Sequence, residues 1–150
     1  MTTQLYDITT PEFVETKLEQ YDDLVGDYAE ARRKLDELKQ RVTVKAHELD
    51  IYESEIMANG GTQAHSINGS NLETRKAQLK VACADEPTWI ALAQELRALE
   101  WEKSAAETDM ESAQHQLRGC VRALDAAIAH VSWLGAIESR TNTERKWEKR

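Results

Sequence analysis

Two clusters of basic residues have the side chains that bind phosphate groups. One cluster lies in a long helical pattern and the other in a shorter helical pattern that follows it. Phosphate binding by lysine and arginine weakens steeply as salt rises. Tyr52, and Trp89 beyond the second cluster, have aromatic rings on which unpaired bases can stack. The predicted nucleic-acid-binding residues are Arg41, Lys45, Tyr52, Arg75, Lys76 and Lys80.

The same cations have a second interpretation, because carboxylates lie close to them in the sequence. Basic and acidic side chains three or four positions apart on a helix form ion pairs at the solvated surface. A neighbouring subunit is a further source of partners. The carboxylates within the chain are Glu37, Glu48, Asp50 and Glu73. The sequence leaves phosphate binding and ion pairing open.

Motifs for catalysis and metal binding are missing from the sequence. It has no phosphate-binding glycine loop and no G-x-S-x-G nucleophile motif. The four histidines have neither the Glu-x-x-His spacing of di-iron bundles nor the four-residue separation of zinc-binding helices. We therefore expect that the protein is not an enzyme, holds no metal and needs no cofactor.

Charge is distributed unevenly along the chain. The net charge of −8, from 19 basic and 27 acidic residues, argues against a generic nucleic-acid or membrane surface. Residues 1–30 carry eight acidic side chains and one basic side chain, whereas the tail 139–150 carries five basic and two acidic ones. Contacts with an anionic partner are therefore expected at local basic patches.

Composition and helix-breaking residues predict the elements. Six Gly and two Pro are too few for folds that turn every dozen residues, so an all-α protein is predicted. Pro11 and Pro87 suit first helical positions, and Ser70 with Glu73 has the spacing of a capping box. The predicted segments are an arm at 1–10, helices over 11–58, 71–84 and 87–138, a loop at 59–70 and a basic tail at 139–150.

The third helix has the most regular apolar pattern. Fourteen positions from Trp89 to Leu134 follow an unbroken three-four alternation, in which only Lys103 is polar. A sustained period of about 3.5 residues is typical of a coiled coil. We therefore predict that residues 11–138 form a single domain, a long antiparallel helical hairpin with a short connecting helix. Its predicted core and oligomerisation residues are Leu92, Leu96, Leu99, Met110, Leu117, Leu124, Val131 and Leu134.

Apolar residues outside this pattern predict a homo-oligomer. Trp101, Val121 and Ile128 lie off the main stripe, and a hairpin has no interior in which to bury them. The most apolar stretch, residues 119–137, includes Arg122, Asp125 and His130, so we expect no membrane contact. With no signal peptide and two cysteines outside any disulfide pattern, a cytoplasmic protein is expected.

A short run at the end of the first long helix resembles a family motif. Val44 to Tyr52 reads Val-Lys-Ala-His-Glu-Leu-Asp-Ile-Tyr. A Gly-containing loop, a short Glu-Arg-Lys-type helix and a long terminal helix follow it. This layout is similar to that of the UvsY-type recombination mediators of bacteriophages, which have a Lys-Ala-basic-Leu-Asp-Tyr-Tyr run before a Gly-bearing loop.

The resemblance implies a small, oligomeric helical protein in the cytoplasm of a phage-infected host. Proteins of that family bind single-stranded DNA and help to load a recombinase onto strands covered by single-strand-binding protein. Our first hypothesis is therefore a DNA-binding accessory of recombination or replication, with a recombinase or a single-strand-binding protein as partner. The alternative is a structural or adaptor coiled coil, such as a virion component, scaffold or protein inhibitor, that binds no nucleic acid.

Overall fold

The computed structural model describes residues 10–148, and for residues 142–148 it describes the backbone alone. The chain is all-helical over this range, as predicted, apart from one isolated bridge between Gly61 and Ser66. The predicted arm, except for Thr10, lies outside the described residues, as do the tail side chains from residue 142 onward. The helices are α1 (Pro11–Ala58), α2 (Leu72–Ala84) and α3 (Pro87–Glu148).

The ends of α1 follow from local chemistry. Thr10 begins the helix because its hydroxyl accepts a hydrogen bond from the backbone N–H of Phe13 at 3.2 Å. Two glycines with positive φ, Gly60 (74°) and Gly61 (119°), end it. A Cβ at Gly61 would lie 2.1 Å from the carbonyl oxygen of His65, so the loop folds this tightly only with glycine there.

The capping of α2 differs from the prediction. Asn71, and not Ser70, is the N-cap residue, and its side chain accepts a hydrogen bond from the backbone N–H of Thr74 at 2.8 Å. The predicted Ser70–Glu73 capping box is therefore wrong by one position, because asparagine caps at least as well as serine. The helix accordingly begins at Leu72.

The third helix is longer than predicted. It continues to Glu148 instead of ending at residue 138. No Gly or Pro lies between residues 139 and 148, so nothing in that segment interrupts helical hydrogen bonding. The segment predicted as a basic tail therefore continues α3.

The described chain divides into two compact units, and a single domain over 11–138 stays a prediction. The central unit contains residues 32–108, and the terminal unit contains residues 10–31 and 109–148. Packed long helices divide in this way because a residue contacts only the part of the partner helix directly opposite it.

In the central unit the two long helices pack together in antiparallel directions. Arg41 pairs with Glu102, whereas Glu53, further along α1, pairs with the earlier Trp89 of α3. Leu35, Leu38 and Leu99 are buried along these helices. A second cluster near the loop contains Ile56, Ile67, Ala82 and Cys83, against which Tyr52, Met57, Leu79 and Trp89 pack.

The terminal unit buries only part of the predicted apolar stripe. Cys120 and Ala127 are buried, and the Cys120 thiol donates to the backbone oxygen of Lys17 at 3.4 Å. Val131 and Leu134, predicted as core residues, are 51% and 40% exposed. The reason is the start of α1: Pro11 lies six residues before Lys17, so its overlap with α3 ends near residue 126.

The other predicted core residues are covered to different extents. Leu99 is buried. Half-buried positions are Leu92, Leu96, Met110, Leu117 and Leu124. Several large apolar side chains stay exposed on the second half of α3; they are Val121, Ile128, Val131, Trp133, Leu134 and Ile137, and we call them the exposed α3 stripe.

Candidate nucleic-acid interface

The two α1 cations predicted to bind phosphate lie among carboxylates. Arg41 is 3.9 Å from Glu102, with both side chains more than half exposed, so this pair is weak and screened by solvent. Lys45 Nζ is 2.6 Å from a Glu48 oxygen and 2.9 Å from a Glu95 oxygen. The hydrogen bonds with Glu48 and then with Glu95 raise the pKa of Lys45 above its ordinary value of 10.5. Lys45 therefore matches the ion-pair interpretation of the sequence.

Reversing the charge of Lys45 should destabilise the central unit. Lys45→Glu would place three carboxylates together, so we expect a lower midpoint of thermal unfolding, followed by circular dichroism. The matched control is Lys39→Glu, an exposed α1 lysine that forms no ion pair in the described structure.

The stabilisation that Lys45 gives to the folded state should be lost at high pH. Because the folded-state pKa is raised, the stabilisation is complete below pH 10.5 and is lost as the pH rises through the higher folded-state value. Equal effects of Lys45→Glu and Lys39→Glu would show that the two ion pairs of Lys45 do not stabilise the fold.

Tyr52 is half-buried and is held in place by packing and by a hydrogen bond. Its ring packs against the buried cluster near the loop, and its hydroxyl donates to Glu86 Oε1 at 3.1 Å. A hydrogen bond with Thr88 lowers the pKa of the phenol, but burial and Glu86 together raise it above 10.0. Tyr52 therefore has a structural role, and its stacking on a base stays a prediction.

Arg75 fastens the loop that precedes α2. Its Nε donates to the carbonyl oxygen of Gly69 at 2.8 Å. The Gln78 side chain accepts a hydrogen bond from the backbone N–H of Gly69 at 2.9 Å. A Cβ on that buried glycine would lie 2.8 Å from the Thr74 side chain. His65 Nε2, at 2.7 Å from Asp85 Oδ2, ties the other side of the loop to the end of α2. Arg75 therefore holds the loop in place, and its contact with phosphate stays a prediction.

Lys76 and Lys80 are placed differently from the other predicted cations. Both are exposed, one turn apart on α2, and neither forms an ion pair in the described part of the chain. They line a groove of about 850 Å³ between α2, the end of α1 and the start of α3. We call it the α2 groove, and its lining residues are Asp50, Glu53, Ser54, Met57, Ala58, Lys76, Leu79, Lys80, Cys83 and Trp89.

Trp89 supplies the aromatic surface of the α2 groove. Its indole N–H donates to Glu53 Oε1 at 2.9 Å, which fixes the ring while the side chain stays half-buried. The sequence suggested Trp89 as a stacking residue, but its spacing gave no sign that it would share a groove with Lys76 and Lys80. The structure brings these three residues together.

The remaining groups around the groove do not indicate catalysis. Burial raises the pKa of the Cys83 thiol above 9.0, and the nearby Glu53 and Glu86 raise it further, so the thiol stays protonated and poorly nucleophilic. Within the described residues no three His, Cys, Asp or Glu side chains are arranged to hold a metal ion. The groove presents two lysines and an aromatic ring beside apolar groups and the carboxylates of Asp50 and Glu53.

Comparisons of the whole chain with family models, with curated proteins and with solved structures find no match. One helix of the described chain, α3, is long and apolar enough to cross a membrane by length and composition, with an 18-residue window of mean hydropathy 1.3, of which 11% is buried. A single helix of this kind does not show a membrane span, so the expectation of no membrane contact stays a prediction.

Proposed function

We propose that the chain is a non-enzymatic helical protein that binds single-stranded DNA at the α2 groove. The proposal rests on the placement of Lys76 and Lys80 beside a groove that contains Trp89. Neither lysine forms an ion pair with the side chains that the structure describes. Lysines provide contacts for phosphates, and an aromatic ring provides a surface for unpaired bases. The resemblance to UvsY-type mediators supports a role in recombination or replication, in the cytoplasm, with a recombinase or single-strand-binding protein as partner.

Self-association is the second part of the proposal. Two lysines in each chain give weak binding, and several linked copies would hold one strand far more tightly. The exposed α3 stripe supports an oligomer, because most of its side chains are at least 40% exposed and two of them, Val131 and Leu134, continue the three-four alternation of the buried positions. Homo-oligomeric coiled-coil packing would cover it.

A titration of fluorescently labelled oligo-dT, followed by anisotropy at two salt concentrations, tests the DNA-binding part. We expect binding at low salt that weakens as salt rises, since each phosphate contact releases bound counterions. Absence of binding at low salt would remove the proposal.

The exposed α3 stripe is also the observation that favours the alternative function, a structural or adaptor coiled coil. Such a stripe can be the docking face for another protein. Sedimentation velocity of the purified chain together with the oligo-dT titration separates the possibilities. An oligomer that does not bind oligo-dT supports the structural or adaptor function, and an oligomer that binds oligo-dT supports our proposal.

A further inference from the structure

We infer that the α2 groove binds the base of an unpaired nucleotide together with its phosphate. The base would lie against Trp89 and Met57 on the floor of the groove, and the phosphate would contact Lys76 and Lys80. This inference rests on the proposed DNA binding and adds a specific ligand, a nucleotide whose base is not paired.

The groove has the size and lining of a small-ligand site. Its volume of about 850 Å³ lies within the range of roughly 300–1,000 Å³ found for such sites. The floor is apolar because Met57, Leu79 and Cys83 contribute to it beside Trp89. A flat heteroaromatic ring is the part of a nucleotide that such a floor accommodates.

Trp89 is prepared for stacking by its own hydrogen bond. The 2.9 Å contact with Glu53 satisfies the indole N–H and restricts rotation of the ring, so little side-chain freedom is lost when a base binds. Stacking of one base on an aromatic side chain changes affinity by about tenfold or more. Paired bases are already stacked within a duplex, so the same contact selects single strands.

Carboxylates fix the direction in which a nucleotide would enter. Asp50 and Glu53 line the groove from α1, whereas Lys76 and Lys80 line it from α2. Phosphate is repelled by the α1 side and attracted by the α2 side, so the backbone of the strand would follow α2 with its base pointing toward Trp89.

The test compares oligo-dT with an abasic deoxyribose-phosphate oligomer of the same length and charge. We expect the wild-type protein to bind oligo-dT about tenfold more tightly than the abasic oligomer. Trp89→Leu should weaken the binding of oligo-dT about tenfold and so remove this preference, while Trp89→Phe should retain much of it. Trp101→Leu is the matched control, because Trp101 lies on the same helix, is 78% exposed and lies outside the groove.

A second variant keeps the test decisive if Trp89→Leu does not fold. Ser54 is exposed and lines the groove, so Ser54→Leu narrows it without touching the core and should also reduce the preference for oligo-dT. Equal wild-type affinity for the two oligomers would overturn the inference and leave phosphate binding intact. Failure of both oligomers to bind would overturn the proposed function as well. A preference lost in Trp101→Leu, and kept in Trp89→Leu or Ser54→Leu, would place the base elsewhere.

Discussion

Replacing both Lys76 and Lys80 with glutamine should abolish most of the binding of oligo-dT by the protein. Each phosphate contact on a single strand contributes about 0.7 to the slope of log affinity against log salt concentration, so losing two contacts per strand should lower that slope by about 1.4. If an oligomer presents several grooves to one strand, the loss of affinity is larger, because each groove loses its two phosphate contacts. Anisotropy titrations over a series of salt concentrations measure both quantities.

The matched control for this prediction is the double variant Lys34→Gln, Lys39→Gln. It removes the same charge from two exposed α1 lysines that lie outside the α2 groove. We expect a small change in affinity from this variant, because salt screens the attraction between DNA and lysines that do not contact it. Equal losses from the two double variants would mean that net charge, and no particular groove, governs binding.

The second large effect is expected from the core of the central unit. Leu35 on α1 is 2% exposed, and Leu35→Ala should lower the free energy of unfolding by about 2–5 kcal/mol, the usual cost of such a truncation in a core. Urea denaturation followed by circular dichroism measures the change. The cost is large because the truncation removes buried methyl groups and leaves a cavity in the core.

Leu18→Ala is the control for Leu35→Ala, with the same chemical change on the same helix. Leu18 is 50% exposed, so its truncation should cost much less than that of Leu35. Similar losses from both variants would mean that the face of α1 that packs against α3 has been assigned wrongly.

The helical architecture was predictable because it depends on local signals. Proline at 11 and 87 and the two glycines at 60 and 61 determine where helices begin and end, and they act over a few residues. The error at Asn71 arose because serine and asparagine are both good caps, so the sequence alone cannot rank neighbouring candidates. The length of α3 was underestimated because the residues after 138 were expected to fray. No Gly or Pro in 139–148 marks where the helix ends.

The candidate site was predictable only in part, since its partners come from distant positions or from the backbone. Lys45 pairs with Glu95, which lies fifty positions away in the sequence. Arg75 donates to a backbone oxygen, and the amino-acid type does not predict such a contact. The sequence placed Arg75, Lys76 and Lys80 on the short helix, as the structure does. Composition could not show that Lys76 and Lys80 lack ion-pair partners among the described side chains. The exposure of Val131 and Leu134 likewise depends on where α1 begins relative to α3.

Hydrogen–deuterium exchange with and without oligo-dT reports which helix a bound strand contacts, and so tests the placement of DNA at the α2 groove. We expect slower exchange on DNA binding in α2 and in residues 50–58 of α1, the segments that line the α2 groove. Exchange in residues 32–41 should stay unchanged. Protection confined to residues 32–41 or to the basic end of α3, with none in α2, would show that DNA does not bind at the α2 groove.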